Sequence, residues 1–188
     1  MRRPTAFYVI LLVFLLFWIP SLVNAETSKK SGATRAAVVT RTERLGAAQG
    51  WTAYSYQEKS GKVCYLAGMP QKSEPAGFKR KRRVALVTHR PGEKVTNVVN
   101  FVEGYPLKEG SAVSLEIGDA KFELFTKGDG AWAPTSELDK AIVDAMAKGK
   151  QAVVKGIPER GPATTDTYSL AGFPQALALI DKACAVAR

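Results

Sequence analysis

A single histidine and two cysteines in 188 residues remove whole classes of chemistry before any motif is sought. One His cannot build a multi-His metal centre, two Cys and one His cannot complete a zinc module, and no His pair exists to divide acid and base work. Cys64 and Cys184 are far from a Cys-x-x-Cys spacing, so a dithiol redox site is excluded as well. No metal and no cofactor are expected. Acidic residues are also scarce, 17 Asp and Glu against 27 Lys and Arg, for a formal charge of +10. The chain carries no repeat at a fixed period and no long low-complexity tract, and its length suits one globular domain rather than two.

What is present is unevenly spread. Arg2 and Arg3 precede an uncharged run from Ala6 to Ile19 rich in Leu, Val and Phe, the charged start and short apolar core of a secretory signal. Pro20 and Ser21 interrupt a helix, and Val23-Asn24-Ala25 offers the small residues of a cleavage site. Residues 1–25 are therefore expected to be a signal peptide cleaved after Ala25, leaving no stable transmembrane span. The alternative is a retained anchor, because Ala6 to Val23 nearly reaches the roughly 20 apolar residues that cross a bilayer. No Cys lies near the cleavage site, so a lipid anchor is not indicated. Loss of Arg2 and Arg3 takes the formal charge from +10 to +8, and export is expected to place the protein in the periplasm or cell envelope. In that oxidising compartment Cys64 and Cys184 are expected to be joined as a disulfide rather than free.

Residues 26–48, rich in Ser, Thr, Lys, Gly and Ala, read as a flexible arm with a weak helix near its end. From Trp51 onward the apolar period becomes two. Strands are expected at residues 51–56 and 63–67 around a Ser60-Gly61 turn, then at 84–88, 97–102, 112–117 and 121–125, with Gly118-Asp119 as a hairpin turn. Ser136 is expected to cap a helix with Asp139 as its capping-box partner, its apolar face running through Leu138, Ile142 and Met146 to a stop at Gly149. Strands at 151–156 and 165–170 follow, and Pro174 opens a last helix that buries Leu177, Ile180 and Cys184. Residues 49–188 thus read as one mainly β domain, an antiparallel β-sandwich or partly open barrel of about eight or nine strands with two covering helices.

Lys79-Arg80-Lys81-Arg82-Arg83 concentrates positive field at a strand entrance and suits a phosphate-rich partner. In an exported protein that partner is anionic lipid or lipopolysaccharide; nucleic acid is not expected, since no aromatic residues interleave the run. The alternative is a solvated loop paired with surface acids. His89 precedes the Arg90-Pro91-Gly92 turn and reads as a surface or turn-supporting imidazole; the alternative is a lone base working with a carboxylate in an envelope hydrolase. Glu116 with Asp119 and Asp139 with Asp144 read as solvated faces. Trp51, Trp132, Tyr54, Tyr65 and Phe101 read as core or cross-strand residues. Gly156 to Gly161 lacks the setting of a phosphate loop. No catalytic residue is identified.

Trp51, Lys62-Val63-Cys64-Tyr65-Leu66, Ala145-Met146-Ala147-Lys148-Gly149 and Thr167-Tyr168-Ser169-Leu170-Ala171-Gly172-Phe173 carry a resemblance to the invasion-associated locus B family, exported proteins of Gram-negative bacteria. Gly156, Gly161, Thr164 to Asp166 and Ala176-Leu177 add to it, and it spans roughly Gln49 to Ala187. The resemblance implies a non-enzymatic periplasmic or envelope protein, linked in pathogenic relatives to host-cell entry. Members can carry a further cysteine pair in mid-domain, which this chain lacks.

Overall fold

The computed structural model describes residues 41–188. The expected signal peptide and residues 26–40 of the expected arm lie outside the described residues. The arm's last residues do not form the weak helix read from their sequence. Glu43–Ala48 is strand β1, paired antiparallel with β2 (Trp51–Glu58). Its residues have little strand preference, but a Cβ on Gly46 would come within 2.7 Å of Leu179 Cδ1, so packing by the terminal helix holds this backbone in place.

The β2 strand buries Trp51, Ala53 and Ser55 and turns Thr52, Tyr54 and Tyr56 outward, the alternation of a half-buried strand. It turns through Lys59 and Ser60 into β3 (Gly61–Gly68). After the short β4 (Lys72–Glu74) come β5 (Val84–Arg90) and β6 (Val95–Val102). The expected Gly118-Asp119 turn joins β7 (Ala112–Ile117) to β8 (Ala120–Lys127), with Ile117 opposite Ala120 and Gly118 at φ 56 as the first turn residue. Then follow β9 (Gly130–Trp132), α1 (Ser136–Lys148), β10 (Gln151–Gly156), β11 (Thr164–Ser169) and α2 (Phe173–Cys184).

Thr135, not Ser136, caps α1, its hydroxyl accepting from the Leu138 N–H at 3.2 Å. Asp139 is therefore no capping-box partner. It is buried, and its Oδ1 accepts the Val99 N–H at 2.7 Å, which corrects its reading as a solvated acid. The other expected ends hold: Gly149 closes α1 through its N–H to the Ala145 carbonyl, and Pro174 lies in the first turn of α2.

All strands join one antiparallel sheet in the order β1-β2-β3-β5-β6-β9-β8-β7-β10-β11-β4. The sheet is open but rolled. Phe101 on β6 and Tyr168 on β11, five places apart in that order, meet at 5.7 Å between ring centroids. The Trp51 indole N–H on β2 reaches the Ser169 carbonyl on β11 at 2.8 Å. Rolling brings both halves of the inner face around one core that includes Leu66, Val87, Leu115, Leu124 and Val154. Each such side chain adds about 1.5–3 kcal/mol over its exposed state. On this roll α1 packs against β6 and α2 against β1, β2 and β3, with Phe173 edge-on to Trp51 at 4.9 Å. The eleven strands exceed the expected count by the weak β1 and by β4 and β9, each three residues long.

Candidate functional site

The cation run forms the loop that enters β5, and the fold divides it. The Lys81 N–H donates to the Gly104 carbonyl at 2.8 Å, stapling the loop to the chain beyond β6. Gly104 has φ 75, and a Cβ there would meet the Lys81 carbonyl oxygen at 2.5 Å, so this close approach requires glycine. Lys79, Lys81 and Arg82 are exposed and Arg83 is half-buried. Arg80 points inward with its side chain only 2% exposed. Its place in a continuous surface patch is thereby corrected.

Arg80 ends in a buried polar cluster. One guanidinium nitrogen lies 2.5 Å from Asp166 Oδ1 and the other 3.4 Å from Glu103 Oε2, both acids being wholly buried. The Ser73 hydroxyl donates to the same Asp166 oxygen, and the Tyr105 hydroxyl lies 2.5 Å from Thr164 Oγ1 and 3.4 Å from Glu103 Oε2. Two carboxylates beside one guanidinium would leave a net negative charge inside the protein. Burial first, and the Asp166 charge second, push Glu103 up to about 7, while Arg80 opposes the rise. Burial likewise pushes the Tyr105 hydroxyl up to about 12.

His89 is a second correction, since it is not at the surface, although its ring does support the turn between β5 and β6 by accepting the Asn97 N–H. It lies within β5, fully buried beside Ala85 and Val87 on the inner face. The Asn97 N–H donates to Nδ1 at 3.0 Å, so Nε2 carries the proton and donates it to Asp181 Oδ1 at 2.9 Å. Burial pushes the imidazole pKa below its ordinary value, and Asp181 only partly restores it. With both nitrogens engaged and the ring sealed, His89 has no lone pair to offer a substrate. The hydrolase alternative built on His89 loses its base. The imidazole instead anchors α2, whose Asp181 also receives the Arg188 guanidinium.

Cys64 and Cys184 form the expected disulfide, with Cα atoms 6.0 Å apart. It ties the end of α2 to β3, one strand from His89, which lies opposite Cys64. Among the described residues no group of three or more His, Cys, Asp or Glu is placed to hold a metal ion, and no helix is long and apolar enough to cross a membrane. Tyr54 and Tyr65, both read as core or cross-strand residues, face each other across β2 and β3, stacked at 5.1 Å on the outer face.

The class so defined is a rolled antiparallel β protein, closed by one disulfide, with a cationic loop anchored on a buried salt-bridge cluster. The family model described as invasion associated locus B (IalB) protein matches residues 51–181, and the chain belongs to that family. The crystal structure of invasion associated protein B from Bartonella henselae has a similar fold, at 19% sequence identity and a TM-score of 0.51, over 77% of this chain and 98% of that one. Among curated proteins no sequence matches the chain.

Proposed function

We propose that this is an exported, non-enzymatic envelope protein that works by binding an anionic envelope component, acidic lipid or lipopolysaccharide, through Lys79, Lys81 and Arg82. The observation that carries this reading is the division of the cation run. Arg80 is neutralised inside while its neighbours remain exposed on a loop pinned at Lys81. A pinned loop holds its charges together at little entropic cost, and the excess of basic over acidic residues adds a favourable long-range field. Three cations near an acidic membrane surface strengthen association by roughly a hundredfold, an effect that salt weakens.

Co-sedimentation with phosphatidylglycerol-containing vesicles tests the reading. Wild-type protein is expected to bind, and to be released by salt. The triple variant Lys79→Gln/Lys81→Gln/Arg82→Gln should bind about a hundredfold more weakly. Equal binding of the two would overturn the proposal.

A further inference from the structure

Beyond the loop, the outer face of the sheet carries a groove of about 460 Å³ lined by Tyr54, Tyr65, Ala67, Met69, Leu86 and Arg82 among others. That volume lies within the range of small-molecule sites. The groove follows β3 and β5 from the stacked Tyr54 and Tyr65 past Ala67, which lies opposite Leu86, to Met69, a run of about 13 Å at ordinary strand rise. Between the tyrosines and Arg82 it is lined by Thr52, Ala67, Val84 and Leu86, and Met69 stands 46% exposed beside it. Ala67, Val84, Leu86 and Met69 offer an apolar strip on which an alkyl chain can lie, with the Thr52 hydroxyl as the polar group within it.

Arg82 supplies the charge. It forms no ion pair among the described residues, and it is the one arginine that lines the groove. A guanidinium is suited to grip a phosphate or carboxylate with two parallel hydrogen bonds. The groove therefore joins an aromatic wall, an apolar strip beside Thr52 and an uncompensated cation.

We propose that this groove binds one single-chain anionic amphiphile, with its alkyl chain over Ala67 and Leu86 and its phosphate or carboxylate head on Arg82. The inference deepens the envelope-lipid reading and rests on it, sharing Arg82. It differs in requiring insertion of a chain as well as attraction to a charged surface.

Titration of the purified protein with dodecyl phosphate, below the concentration at which it forms micelles, tests the inference. Saturable one-to-one binding is expected. Arg82→Gln and Leu86→Thr should each weaken it about tenfold or more, while Lys121→Gln/Lys127→Gln on β8 leaves it unchanged. Dodecanol should bind more weakly than dodecyl phosphate and should be indifferent to Arg82→Gln. Absence of saturable binding, or equal affinity for inorganic phosphate, overturns the groove. A self-associating protein that Leu86→Thr makes monomeric, with no dodecyl phosphate bound, also overturns it, in favour of a second copy as occupant. Vesicle binding separates the two claims. If vesicles are held while dodecyl phosphate is not, the groove fails and the surface-binding reading stands; if dodecyl phosphate binds while vesicles do not, the surface-binding reading fails.

Discussion

Arg80 and Lys81 are adjacent in the chain and opposite in environment, one sealed between two carboxyl groups and the other in solvent with only its backbone committed. Removal of a buried partner leaves uncompensated charge, so Arg80→Ala should cost about 3–5 kcal/mol. Lys81→Ala should stay within about 0.5 kcal/mol of wild type. Urea unfolding measures both, and equal costs would contradict the division of the run. Glu103 makes a second residue-scale prediction. Its folded pKa is raised from 4.5 to about 7, so the folded state holds an extra proton between those values. The associated stability is fully present below 4.5 and is lost as pH rises through about 7. Glu103→Gln mimics the protonated acid and should remove this loss, so the variant should gain stability relative to wild type between pH 5 and pH 8. An unchanged difference between the two proteins across that range would contradict the assignment. The inward direction of Asp166 was legible in its strand, where Thr164, Asp166 and Tyr168 share one face and Tyr168 is buried. The same period of two runs through Ala85, Val87 and His89, and it outweighs the Pro91-Gly92 turn that made the imidazole look superficial. The partnership of Arg80 with Glu103 was not legible, because it depends on the rolled sheet bringing distant segments together.

Between elements, α1 is joined to the sheet where a ladder stops. β9 pairs only with Asn100 to Val102 of β6, and Asp139 takes the next N–H, that of Val99. Burial pushes Asp139 up to about 6, against the pull of that hydrogen bond. Asp139→Ala should cost about 1–3 kcal/mol by leaving the Val99 N–H buried without an acceptor. Asp139→Asn should cost less, since an amide oxygen can accept the same bond. Equal losses in thermal unfolding would contradict that role. The attachment of α2 is threefold, through Trp51 and Phe173, His89 and Asp181, and the disulfide. Cys64→Ala/Cys184→Ala should lower stability by about 2–5 kcal/mol, a range typical for loss of a native disulfide. Hydrogen exchange in the folded variant should show the last turn of α2 losing protection while the first turn, packed on Trp51, is unchanged, with Asp181 on His89 limiting the loss. The long strands and both helices were legible from local period and end signals. β1, β4 and β9 were not: the first is held by contact with Leu179, and the others are too short to display a period.

Over the whole molecule, the positive charge visible in the composition is sorted by the roll. One arginine of the loop supports the interior, and the exposed cations share the outside with an aromatic and aliphatic groove. Membership of the family and the fold agree with a mainly β architecture that the alternating segments already implied. The rolling of one open sheet was beyond local pattern, because it depends on contacts such as Trp51 with Ser169 and Phe101 with Tyr168, each more than sixty residues apart. An amide chemical-shift map of the protein on addition of anionic bicelles tests the cationic loop as the binding surface. Perturbations are expected to centre on Lys79, Lys81 and Arg82, with Lys121 and Lys127 of β8 unaffected and the response weakened by salt. Perturbations centred on those β8 lysines, or no response at all, would contradict it.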